Sequence, residues 1–146
     1  MNNYVLYKDD LDKKILKQLN IVISPNSVIG KNVKICYNTC ILGASVVCDN
    51  VVIYNNTTID NSTLHDNSVI FSSKIQNSEI GKDCVIGPFA VIKNHSKLDN
   101  GVRIANFAEV NNSTIKDTAT IKSLAIVQDS IVEKGEIVDS GKTISV

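Results

Sequence analysis

The sequence predicts an all-β chain wound as a parallel β-helix of about seven coils, preceded by a short helix. Three observations lead there. An aliphatic residue opens nearly every unit of about six residues from Ile23 to Ile144. Every third opener falls into one of three ladders, with a step of 16 to 18 residues. Four residues after many openers stands a small or β-branched residue, such as Val33, Thr39, Ser45, Thr57, Thr63, Ala90, Val102 or Ala108.

The ladders define three faces. The first runs Ile23, Ile41, Ile59, Ile75, Ile92, Val110, Val127, Ile144. The second runs Ile29, Val47, Leu64, Ile80, Leu98, Ile115, Val132. The third runs Ile35, Ile53, Ile70, Ile86, Ile104, Ile121, Val138. Such a step suits a triangular coil with three short strands and three corners. Stacked coils sit about 4.8 Å apart, so the prism is about 30–35 Å long. No coil can bury its own apolar edge, and stability must come from its neighbours. A sandwich would need hairpin turns, and Asn100-Gly101 is the one strong hairpin dipeptide.

Residues 1–20 are expected to form a capping helix segment and residues 21–146 the β-helix domain. Asp9 or Asp10 can cap a helix, with Leu11, Ile15, Leu16 and Leu19 at helical spacing behind it. Its simplest role is a lid, because an open β-helix end exposes unpaired backbone groups. Some units have five residues, as from Ile59 to Leu64 and from Ile70 to Ile75. Near the C-terminus an opener at Val132 keeps the ladder even but puts Glu136 at the small inward position, where a charge is unfavourable. Val132 is the preferred reading.

Fifteen Lys and Arg balance fifteen Asp and Glu. That argues against nucleic acid, which requires a basic surface. No apolar run approaches the roughly 20 residues of a membrane span, and no signal peptide is evident. The expected location is cytoplasmic. Free thiols are expected there at Cys36, Cys40, Cys48 and Cys84. Cys36 and Cys48 should face outwards, Cys84 inwards, and Cys40 should lie at a corner. No spacing enforces a metal site. Triplets such as Asn61-Ser62-Thr63 and Asn94-His95-Ser96 read as Asn-rich turns. Tyr54 and Phe71 follow openers on successive coils, forming an outward aromatic stripe and a candidate subunit interface.

Two blocks are more specific than the repeat: Ile86-Gly87-Pro88-Phe89-Ala90 and Asn106-Phe107-Ala108-Glu109-Val110, the latter followed by Asn112-Ser113-Thr114-Ile115. With the segment from Ile15 to Val33, they resemble the C-terminal acetyltransferase domain of the bifunctional enzyme that makes UDP-N-acetylglucosamine. The wider repeat resembles the hexapeptide-repeat, left-handed β-helix proteins. That resemblance implies the left hand, a homotrimer, and active sites in clefts between subunits.

The same resemblance places Asn106 and Glu109 at substrate-binding positions and acetyl-coenzyme A as cofactor if the chain is active. Four other positions depart from it. Val91 stands where the family has a phosphate-binding Arg, and Asn111 where it has a substrate-binding Lys. Ser123 stands for the general-base His, and Ile126 for a Tyr. The chain also reaches Val146 before most of the family's coenzyme A coils, and no nucleotidyltransferase half precedes it. That leaves room for a separate nucleotidyltransferase partner.

Acetyl transfer to an amine needs a group that removes the ammonium proton near neutral pH, a task suited to imidazole. Serine cannot replace it without its own base. The expectation is therefore a catalytically inactive or repurposed relative, an oligomeric scaffold or ligand-binding module. The alternative is a coenzyme A-dependent N-acyltransferase with another base. Of the two histidines, His65 should point outwards, and His95, at the corner after Ile92, is the candidate catalytic residue.

Overall fold

The computed structural model describes residues 3–146; positions 1 and 2 of the expected capping segment lie outside them. The chain is a left-handed parallel β-helix of three sheets with eight, eight and seven strands. Each strand is two or three residues long, and its hydrogen bonds run to the coils before and after it.

The three predicted ladders are the three sheets. Ile41 pairs with Ile59, Leu64 with Ile80, and Ile86 with Ile104, in parallel. From Ile35 to Val138 every opener is buried, so the interior is a set of continuous aliphatic columns. Ile131 is exposed and Val132 buried, which fixes the C-terminal register at Val132. Glu136 then sits at the inward position yet is exposed. Its carboxylate accepts from the Glu133 backbone N–H at 2.9 Å.

The small inward residue is set by the opener that follows, not by the one before. It stands two residues ahead of the next opener: Ser62 before Leu64, Ser73 before Ile75, Ser78 before Ile80. Thr63 is therefore a strand residue, and the buried position belongs to Ser62. At the corner leading into the second face these residues form an internal serine ladder. The backbone N–H of Ser62, Ser78, Ser96, Ser113 and Ser130 each donates to the Oγ one coil earlier, at 3.1–3.3 Å. No buried side-chain nitrogen or oxygen among the described residues lacks a partner.

At most corners the residue three before an opener has positive φ, which turns the chain between faces. Asparagine dominates there, because its short polar side chain tolerates the left-handed region. Asn61 and Asn112 are such turn residues, and before Leu98 the place is taken by His95, with Asn94 also at positive φ. Bulky residues occupy one corner column instead: Phe89, Phe107 and Leu124, 55%, 55% and 61% exposed.

The N-terminal segment differs in detail from the expected helix. Strand β1 (Tyr4–Leu6) pairs antiparallel with Lys34–Cys36 and adds an end strand to the third sheet. Helix α1 (Lys13–Gln18) follows, and its N-cap is Asp12 rather than Asp9 or Asp10; the Asp12 carboxylate accepts from the Lys14 N–H at 2.9 Å. Leu11, Leu16 and Leu19 pack against the core, whereas Ile15 is exposed. Cys36 faces outwards from its coil but is buried beside β1. Cys40 lies within a strand, Cys40–Leu42, not at a corner.

Candidate functional site

On the first face the strands Val91–Lys93, Glu109–Asn111 and Ile126–Gln128 lie side by side. Their register aligns Val91, Glu109 and Ile126 in one outward column, and Lys93, Asn111 and Gln128 in another. At the corner leading into this face, the Ser123 hydroxyl donates to the Asn106 side-chain oxygen one coil away. The fold thus collects Val91, Asn106, Glu109, Asn111, Ser123 and Ile126 on one patch, although they span 36 positions of sequence (91 to 126 inclusive).

The chemistry of that patch is limited. Glu109 Oε1 lies 3.1 Å from Lys93 Nζ, and both side chains are about one-third exposed. The two charges compensate one another, and the carboxylate is already engaged by the Lys93 ammonium. Asn106 is engaged by Ser123. Val91 and Ile126 add only aliphatic surface. The Phe89–Phe107 pair, with ring centroids 5.2 Å apart, and Leu124 form an apolar ridge along the adjoining corner.

His95 lies across the first face, at the corner that leads away from it. Its backbone N–H donates to the Asn77 carbonyl at 2.8 Å. Its side chain lines a shallow groove with Asn61, Asn77, Glu79 and Lys97. The structure does not bring His95 together with Asn106, and no hydrogen bond orients its imidazole among the described residues.

The imidazole with a carboxylate partner is His65. Its Nε2 lies 2.8 Å from Glu79 Oε1 on the second face. Sequence reasoning passed over this pair, although the ladder could have revealed it. His65 follows Leu64, Glu79 precedes Ile80, and those two openers are paired. Glu79 and Lys97 line a second groove with His65, Gly81 and Asp99, so both histidines border one polar strip.

Cys36, Cys48 and Cys84 are not activated nucleophiles. Burial pushes the Cys84 thiol up to about 11, and burial also raises Cys36. Cys48 is raised by burial and then by the Asp66 and Asp49 carboxylates. A reactive cysteine needs the opposite shift. No group of three or more His, Cys, Asp or Glu among the described residues could hold a metal. Among the described residues no helix is long and apolar enough to cross a membrane.

Comparison with known proteins is consistent with this geometry. The family described as bacterial transferase hexapeptide (six repeats) matches residues 77–112, which include the Ile86–Ala90 and Asn106–Val110 blocks. The sequence finds no significant match among curated proteins. Among solved structures, the acetyltransferase domain of PglB from Neisseria gonorrhoeae, in complex with acetyl coenzyme A, superposes with a TM-score of 0.65 at 22% identity. That alignment covers 70% of this chain and 51% of the other, so the chain spans about half the length of that relative. PerB from Caulobacter crescentus, in complex with CoA and GDP-perosamine, gives 0.32 at 20% identity, covering 86% of this chain and 49% of that one. The UDP-N-acetylglucosamine acyltransferase from Campylobacter jejuni gives 0.39 at 15% identity, covering 81% and 67%. Residues 77–112 carry the hexapeptide repeat, and the chain shares its fold with that PglB domain.

Proposed function

We propose that this chain is a relative of the glucosamine-1-phosphate acetyltransferase domain that does not transfer acetyl groups and serves as an oligomeric scaffold or ligand-binding module. The observation that carries this reading is the patch itself. Asn106 is bonded to Ser123, Glu109 is paired with Lys93, and no imidazole stands within the patch. The positions that would hold a phosphate and a base are Val91, Asn111 and Ser123. In this reading the chain works in the cytoplasm as a homotrimer, residues 1–20 cap the β-helix of 21–146, and a separate nucleotidyltransferase is a candidate partner.

A second reading, a coenzyme A-dependent N-acyltransferase with a base outside the patch, draws on the His65–Glu79 pair. A carboxylate that orients an imidazole is the arrangement a general base requires. His95, in the neighbouring groove, is the other imidazole.

Thermal melting with acetyl-coenzyme A at about 1 mM separates the two, because a ligand that binds only the native state must raise its stability. The scaffold reading expects no shift and no release of free coenzyme A thiol with glucosamine-1-phosphate as acceptor. Thiol release that disappears in His65→Gln or His95→Ala would establish the second reading and remove the first.

A further inference from the structure

We propose that the third face carries a slot for the base of a nucleotide, with its phosphate directed to Arg103. The slot is a missing rung in a file of outward residues. Tyr54, Phe71, Gly87 and Ala105 each follow an opener of the third ladder, and the register sets them side by side on successive coils. The Tyr54 and Phe71 rings stack with centroids 4.6 Å apart and 3° between planes, matching the coil spacing of about 4.8 Å.

The stack is closed at one end and open at the other. Towards the N-terminus, Lys34 Nζ lies 4.2 Å from the centroid of Tyr4 and 5.5 Å from that of Tyr54. On its far side Phe71 has no aromatic neighbour among the described residues, because the next rung is Gly87. The protein cannot fill that gap with a side chain of its own. A Cβ on Gly87 would collide with the Phe71 carbonyl oxygen and the Ser73 hydroxyl, and its φ is +97°. Ala105, one rung further, offers only a methyl group.

A planar ring laid on Phe71 would continue the stack, and base–aromatic stacking accepts any base because every base has a π-face. The anion has its own partner. Arg103 is exposed on the same face, and no carboxylate pairs with it among the described residues. Lys122, the next cation along the file, is already 3.5 Å from Asp139. Arg103 pairs in register with Val85, two residues before Gly87, which puts it about 8 Å from Gly87 by strand geometry. An unpaired guanidinium is a bidentate site for phosphate. The offset suits a ring separated from its anion by a pentose, and not an aromatic acid whose carboxylate is attached directly. The slot lies apart from the Asn106 patch and is independent of either reading of acetyl transfer.

Calorimetric titration of the whole chain with AMP and with adenosine tests the proposal. AMP should bind more tightly than adenosine. Phe71→Leu, which keeps an apolar group on the coil, should weaken both by about tenfold or more. Arg103→Gln should bring AMP down to adenosine and leave adenosine unchanged. The proposal falls if AMP does not bind at about 10 mM, if Phe71→Leu binds AMP as the native chain does, or if Arg103→Gln leaves the preference for AMP intact. Sedimentation adds a further arm. If Phe71→Leu lowers the oligomeric state while AMP has no effect on the native chain, the face is a contact between copies and the nucleotide assignment is wrong.

Discussion

Phe89, Phe107 and Leu124 hold φ values of 59°, 60° and 65°, in a region that costs most L-residues about 1–2 kcal/mol. Their side chains are largely exposed, so little burial within the chain offsets that cost. In an isolated chain, Leu124→Asn should therefore gain about 1 kcal/mol in urea unfolding. At concentrations where copies associate, a loss instead would show that Leu124 packs against another copy. The serine ladder predicts the opposite sign. Ser96 Oγ accepts from the Ser113 N–H and donates to the Lys93 carbonyl at 2.7 Å. Ser96→Ala leaves a buried N–H without a partner and should cost about 1–3 kcal/mol in the same assay. Cys84 links stability to pH. Its thiol rises from 9.0 to about 11 in the folded chain, so its contribution is complete below pH 9 and is lost as pH climbs through 11. The urea midpoint should fall across that window, and Cys84→Ala should remove that part of the fall. The openers were legible in the sequence because each one is aliphatic. The corner ridge was not, because a left-handed backbone leaves no mark in the composition when Phe or Leu occupies it.

At the scale of elements, the N-terminal cap has two parts that read very differently in sequence. Leu11, Ile15, Leu16 and Leu19 repeat at helical spacing, and a helix is there over Lys13–Gln18, with Leu11 ahead of it and Leu19 at its C-cap. Its cap moved to Asp12 because three aspartates within four positions (9 to 12) compete for one role, and spacing alone cannot rank them. Strand β1 is three residues long, too short for alternation to show, and its partner strand lies about 30 positions along the chain. Its role follows from Val5, which is buried and pairs with Ile35. Val5→Asp should lift β1 from the third sheet and uncover Cys36. The check is the rate of Cys36 alkylation followed by mass spectrometry, which should rise while the Cys84 rate stays low.

For the whole molecule, contacts run from each coil to its neighbours, so the centre is supported on both sides and the ends on one. Ile75→Ala should cost about 2–5 kcal/mol, whereas Ile144→Ala, at a half-buried end position, should cost clearly less. Hydrogen exchange should show the same gradient along the axis. The architecture was legible from the ladder, whereas the residues of the patch were singled out by the family resemblance, and register then makes those distant sequence blocks neighbours. The partners inside the patch depended on side-chain direction across coils, which no single window of sequence carries, whereas the His65–Glu79 pair could be read from the paired openers Leu64 and Ile80. One property of the corners reaches further. Because the inward corner residue answers to the opener after it, the unit from Ile59 to Leu64 is one residue shorter than that from Ile41 to Val47, and both columns stay in line. A deletion at a corner is absorbed locally, while one inside a strand turns an aliphatic residue towards water. Length drift in this protein therefore has a safe address, and a homologue's gaps should gather at the corners and leave the strands whole.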